Sequence, residues 1–230
     1  HVVLLLTTYL FMLNTSMIHE PIIWTDFAIT TYCQARCRSC QRTNQDTGQP
    51  EDWLIPSHMP YDLFDKVLTG SPDKLKTIQF CGELGDPMMH PDITKFVDRA
   101  LSKESVNRLI INTNGGLRTP DWYTKMGNKH GHGFVIIFGI DGITHESNWK
   151  YREGVDFQRA MDNMIAMAKT DAEMEWHFLI FEWNWQEVTE AYAMAKEHGI
   201  NINFKFNNRS LGLISDENKA ACKKLIEELK

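Results

Sequence analysis

The sequence lacks a basic excess. Lysine and arginine number 24 against 30 acidic residues, a net charge of −6. That balance argues against a nucleic-acid coat and gives no support to a polybasic membrane surface, although a local basic groove stays compatible with it. A membrane-spanning run is also missing. The opening stretch HVVLLLTTYLFML is apolar, but at about a dozen residues it falls short of the roughly 20 that cross a bilayer. No Lys or Arg precedes it and no clear small-residue cleavage site follows, so it makes a weak secretory signal. The chain begins with His, and Met17 opens a more ordinary segment. Residues 1–16 therefore read as an upstream extension, with a packed N-terminal strand as the next reading and a membrane anchor as the last. An even cysteine set is absent too. Five cysteines, three of them clustered, make a poor disulfide framework and read better as metal or cluster ligands in a reducing compartment, so a cytoplasmic location is expected. There is no internal repeat, low-complexity tract or long linker. At 230 residues and 43% hydrophobic, the chain suits one large core or at most two small ones.

What is present is an alternation of strand-like and helix-like segments. Apolar runs at 22–30, 75–80, 108–112, 133–140, 175–183 and 202–206 predict strands. Between them lie helical stripes: one opened by Pro60, one starting at Pro91-Asp92, a weaker one over 120–127, one carrying Phe157, Met161 and Met164, and one carrying Val188, Ala191 and Ala195. A closing helix carries Ala221, Leu225 and Leu229, with Ser215 as its cap. Residues 41–58 form a polar loop with Gly48, Pro50 and Pro56. The expected division is an extension at 1–16, a β/α unit at 17–208 and a C-terminal helix packing on it at 209–230. The fold class is α/β with a parallel sheet, either an open doubly wound sheet or a curved partial barrel. Both place ligands at the carboxyl ends of the strands. The unusual residues fall there: TYCQARCRSC (31–40) after the first strand, CGELGDP (81–87) after the second, TNGG (113–116) after the third and Asp141-Gly142 after the fourth.

Cys33, Cys37 and Cys40 stand at C-x3-C-x2-C spacing on one loop. Three thiolates can hold three corners of a [4Fe–4S] cube and leave the fourth iron without a protein ligand. Two other readings of the spacing stay open: a zinc site completed by a histidine such as His90, and accidental clustering. His90 itself reads better as a helix cap or a loop partner than as a metal ligand.

These residues resemble the radical S-adenosylmethionine (SAM) superfamily. The resemblance runs from about Ile22 to Phe206 and includes the order of the elements. GELGDPMMHPD (82–92) looks like that family's Gly-Gly-Glu turn and its continuation, and TNGG and GIDG occupy the places of Thr-Asn-Gly and Ser-x-Asp-Gly. The resemblance implies a partial (β/α)6 barrel and two cofactors, a [4Fe–4S] cluster on Cys33, Cys37 and Cys40 and SAM on its open iron. It implies reductive cleavage of SAM to a 5′-deoxyadenosyl radical that abstracts a substrate hydrogen, with an external one-electron reductant such as a flavodoxin or ferredoxin. Glu83 and the backbone at Cys81–Gly82 would take the SAM ammonium, with Gly82 letting the main chain approach. Asn114 and Asp141 would meet its ribose or carboxylate, Arg152 its carboxylate, and Asn184 its ribose or adenine. Asn114 has a second reading, as the left-handed residue of its turn.

The sequence also departs from the family pattern. Ser39 replaces a common aromatic, for which Tyr32 or a later aromatic would have to compensate. Gly139 stands where serine is common. Cys81 stands where glycine is usual, and Cys222 reads as core. Trp149, Trp183 and Trp185 are candidate pocket walls. The substrate is read as a peptide or protein side chain, with a small metabolite or nucleoside as one alternative and a non-catalytic zinc or iron–sulfur module as another.

Overall fold

The computed structural model describes residues 23–71, 73–209 and 211–229; the 1–16 extension and Ile22 lie outside them. Six parallel strands form one sheet: β1 (Trp24–Phe27), β2 (Thr77–Phe80), β3 (Arg108–Thr113), β4 (Phe134–Gly139), β5 (Glu173–Ile180) and β6 (Asn201–Phe206). Their spatial order is their chain order. That order decides between the two architectures left open above. A doubly wound sheet reverses direction partway, whereas right-handed crossovers stepping always one way leave the helices on one face. The fold is therefore a partial barrel with an inner face.

Side-chain alternation shows both faces. Ile78 and Phe80, Leu109 and Ile111, Phe134, Ile136 and Phe138, and Trp176, Phe178 and Ile180 are buried in the common hydrophobic core. The intervening residues are of another kind. Asn112 pairs in register with Ile137, Gly139 with His177 and Leu179 with Lys205. These six positions line one cavity. The period of two thus separates a face packed in the core from one that lines the cavity with mixed polar and apolar side chains.

The helices are α1 (Tyr61–Gly70), α2 (Ile93–Leu101), α3 (Pro120–His130), α4 (His145–Trp149), α5 (Phe157–Ala168), α6 (Val188–Glu197) and α7 (Asp216–Leu229). Several starts follow local chemistry. Thr119 accepts from the Trp122 N–H with Pro120 in the first turn, and Asp156 accepts from the Arg159 N–H. The Ser215 hydroxyl accepts from the Asn218 N–H at 3.3 Å. Helix α4 escapes sequence periodicity because it is five residues long. Its signal is a reciprocal Thr144–Ser147 capping box. The first strand is shorter than the 22–30 apolar run: Ile29 is fully buried, while its neighbour Thr30 makes only an isolated bridge to His58. Cys222 on α7 is fully buried in the core, as its helical stripe predicted. No helix among the described residues is long and apolar enough to cross a membrane.

Candidate active site

The carboxyl ends of the strands surround a cavity of about 580 Å³. The cysteine loop enters it from β1 and is fastened on two sides. Arg42 donates from Nε to the Leu84 carbonyl and from Nη2 to Thr31 O at 2.7 Å. On the other side the Arg36 N–H donates to Glu153 O at 2.8 Å. Gly85 permits the crossing beneath: a Cβ there would stand 2.4 Å from Thr30 O and 2.6 Å from Tyr32 O.

Cys33, Cys37 and Cys40 are free thiols that all line this cavity. Donors aim at two of the sulfurs, Asn114 Nδ2 toward Cys33 Sγ at 3.7 Å and Arg152 Nη1 toward Cys37 Sγ at 3.9 Å. Burial pushes the Cys33 thiol up to about 12 and raises Cys37 as well. Alone, these thiols keep their protons; a bound cation exchanges them for thiolates. Three thiols on one wall, with N–H donors directed at two of the sulfurs, fit an iron–sulfur cluster.

The zinc alternative through His90 does not fit. His90 Nδ1 accepts from the Asp92 N–H at 3.1 Å, and its Nε2 meets Met59 O at 3.0 Å. The ring packs against Phe96, outside the cavity wall.

The other sequence candidates separate into two groups. Gly82, Glu83, Asn114 and Arg152 line the cavity. Before Gly82 there is space: the nearest atom to an added Cβ is Asn112 O at 3.4 Å. Glu83 is exposed; its backbone carbonyl accepts from Gln41 Nε2 at 3.3 Å, and its carboxylate forms no ion pair among the described residues. Asn114 is locked to Gln34, accepting from Nε2 at 2.7 Å and donating to Oε1 at 3.3 Å. The left-handed residue of that turn is Gly115, at φ 77°, and not Asn114.

Asp141 and Asn184 stand behind the wall. Asp141 is fully buried. Its Oδ1 accepts from the Leu179 N–H at 2.7 Å and its Oδ2 from Arg152 Nε at 2.6 Å. Burial opposes the Arg152 charge, but Asp141, joined by Cys37 and Tyr151, raises its pKa on balance. Asn184 is also fully buried. It accepts from the Phe181 N–H and donates to Asp141 O and Leu179 O, so it ties the ends of β4 and β5 together. Both side chains support the wall through these bonds, and neither lines the cavity. Asn148 of the unpredicted α4 holds the Asp141 N–H at 2.9 Å.

Sequence reasoning missed Asp86. This buried carboxylate accepts from Thr113 Oγ1 at 2.9 Å, the Asn114 N–H at 2.8 Å and the Met88 N–H at 2.9 Å. It fastens the loop after β2 to the loop after β3. Burial raises its pKa, and those donors oppose the rise. Its signal was an Asp before Pro87, in the capping position of a short 3-10 turn. The inner-face residues His177 and Lys205 were missed as well.

The aromatic expectations also change. Tyr32 stacks on His58 at 4.6 Å, away from the wall, and the aromatic that lines the cavity is Tyr151. Ser39 adopts φ 63°, a left-handed conformation that bulky side chains take rarely. Trp149, Trp183 and Trp185 do not line the cavity; Trp183 stacks on Phe181 at 4.5 Å. Gly139 has a local reason: a Cβ there would stand 2.6 Å from Arg152 Nη2.

Against known families, the profile of the Radical SAM superfamily matches residues 27–227. The chain belongs to the Radical SAM superfamily. This radical SAM chain is 24% identical over 172 residues to an AdoMet-dependent heme synthase of Methanosarcina barkeri (strain Fusaro / DSM 804), covering 74% of the chain and 46% of that protein. It therefore spans about half the length of the curated relative. Among solved structures it is similar to Streptococcus suis SuiB bound to S-adenosylmethionine, with TM-score 0.69 and 13% identity over 91% of this chain and 47% of that one. It is also similar to anSMEcpe with bound AdoMet, with TM-score 0.68 and 14% identity over 91% and 58% of the two chains. At those identities the likeness shows the shared fold.

Proposed function

We propose that this protein is a radical SAM enzyme that cleaves SAM reductively and uses the resulting radical to abstract hydrogen from a peptide or protein side chain. The observation that carries the reading is the single cavity that receives three thiols from one loop together with polar groups from successive strand ends. Cys33, Cys37 and Cys40 would hold a [4Fe–4S] cluster. When bound, that cluster supplies one electron to the SAM sulfonium, giving methionine and a 5′-deoxyadenosyl radical.

The chain's own residues supply position and shelter. Gly82 leaves room for SAM against the backbone of β2. Glu83 offers an unengaged carboxylate for the ammonium. Arg152, aimed by Asp141, offers its guanidinium to the carboxylate, a charge-assisted pairing that a fixed fork makes well. Asn114, held by Gln34, presents its amide beside Cys33. Ile137, Leu179 and Tyr151 supply apolar wall, which excludes water and competing hydrogen donors from the reacting carbon. An external one-electron reductant, a flavodoxin or ferredoxin, completes the requirement.

The peptide reading draws support from SuiB, whose structure was determined bound to precursor peptide SuiA, and from anSMEcpe with AdoMet and the Cp18Cys peptide. The heme synthase relative supports the alternative, the same chemistry on a small molecule. The test is anaerobic reconstitution with iron and sulfide, reduction with dithionite and chromatographic measurement of 5′-deoxyadenosine. A brown protein that forms it supports the reading. A colourless protein carrying one zinc and forming none sinks it.

A further inference from the structure

The inner wall of the barrel on the β5–β6 side carries a polar network to which the proposed function assigns no role. His177 stands on β5 between Glu175 and Lys205. Its Nε2 lies 2.8 Å from Glu175 Oε2, and its Nδ1 lies 3.1 Å from Lys205 Nζ. A lysine ammonium can only donate, so Nδ1 is the acceptor and the proton sits on Nε2, donated to Glu175. The imidazole is thereby a neutral spacer that fixes the direction of the ammonium, whose other N–H groups have no partner among the described residues. Arg209, just beyond β6, is placed in the same manner: its Nη1 donates to Ser39 O at 3.2 Å and to the Tyr151 hydroxyl.

Charge gives the network a meaning. The protein as a whole carries −6, yet its cavity is lined by Arg42, Arg152, Lys205 and Arg209 against only Glu83 and Asp86. Arg42 is engaged by two backbone carbonyls and Arg152 by Asp141. Lys205 and Arg209 form no ion pair with a carboxylate among the described residues. A concave wall of one sign concentrates ligands of the other.

We infer that Lys205 and Arg209 form a subsite for an oxyanion of the substrate, a carboxylate or a phosphate, with His177 and Glu175 as the positioning residues that aim Lys205. The inference rests on the proposed function for the identity of the cavity, and it names a substrate class for it: a molecule that bears its anionic group at the β6 side while its reacting carbon faces the β1–β4 side. The ammonium supplies a point charge and the guanidinium a planar fork, a combination that suits both oxyanions.

The test is calorimetric titration of the anaerobically reconstituted, SAM-loaded protein with two probes, inorganic phosphate and glutarate. Saturable binding of one or both at millimolar concentration is expected, and the probe bound more tightly tells a phosphate source from a carboxylate source. Lys205→Met and Arg209→Gln should each weaken it at least ten-fold. His177→Phe should weaken it as well, while His177→Asn, whose Oδ1 can take the place of Nδ1, should restore at least half of the binding free energy lost in His177→Phe. Wild-type protein that binds neither probe, or variants that bind as wild type does, would overturn the subsite. Reductive SAM cleavage by the wild-type protein is measured on the same preparation. Cleavage without anion binding removes the subsite alone, whereas anion binding without cleavage removes the proposed function and leaves the subsite standing.

Discussion

Replacing Gly139 with serine should damage this protein through Arg152. An added Cβ at 139 would lie 2.6 Å from Arg152 Nη2, inside van der Waals contact. A long arginine would ordinarily step aside at little cost. Here its Nε is 2.6 Å from Asp141 Oδ2, and the Asp141 side chain is completely buried. Displacement therefore strains or breaks a buried ion pair. Overpacking of this kind costs about 1–3 kcal/mol, and full loss of the pair sets an upper bound of about 3–5 kcal/mol. The diagnostic quantity is coupling. In an Arg152→Ala background the obstructing atom is gone, and the same Gly139→Ser change should cost less than about 1 kcal/mol, a coupling well above the roughly 0.5 kcal/mol scatter of independent sites. Urea unfolding of the four proteins, followed by tryptophan fluorescence from seven tryptophans, measures the cycle. Equal losses in both backgrounds would refute the steric account of Gly139.

Three further outcomes follow from the same geometry. Cys33→Ala, Cys37→Ala and Cys40→Ala should each abolish SAM cleavage and lower bound iron after anaerobic reconstitution, whereas Cys222→Ala, remote in the core, should keep its iron; equal loss in the Cys222 variant would mean the ligands are misassigned. Gly82→Ala and Gly85→Ala should fail differently. At 85 the obstruction is backbone, with Thr30 O 2.4 Å from the new Cβ, so stability falls by about 3 kcal/mol or more. At 82 the nearest atom is 3.4 Å away, so stability changes by less than about 1 kcal/mol while SAM affinity drops at least ten-fold; the reverse pattern would contradict the assigned roles. Burial lowers the His90 pKa from its ordinary 6.5. The unfolded chain then takes up a proton that the folded one resists, so its contribution to stability is complete above about pH 6.5 and is lost as pH falls through that value toward the depressed folded pKa. Unfolding midpoints measured from pH 7.5 to 5 should decline less in His90→Gln than in wild type, and identical slopes would contradict this origin.

Much of the architecture was legible because it rests on short-range chemistry. Short apolar runs with helical stripes between them announced six strands, and prolines or capping residues marked most of the helix starts. The cluster loop was legible from its spacing alone, since three cysteines within eight residues must lie close together in any fold. Helix α4 was not, because five residues hold too little periodicity to register and its capping box is the sole local trace.

The sequence by itself determined the elements, their alternation and the gathering of unusual residues at strand ends. Tertiary structure alone decided which of those residues face the cavity. Asp141 and Asn184 carry the same polar chemistry as Glu83 and Asn114, but the pleat and the turn after each strand put the first two behind the wall and the second two in it. Strand order, set by crossovers that all step one way, decided that His177, Lys205 and Arg209 would share a cavity with cysteines 137 to 176 residues earlier in the chain. No local pattern records that meeting, because it arises from pairing between strands and not from the neighbours of either residue.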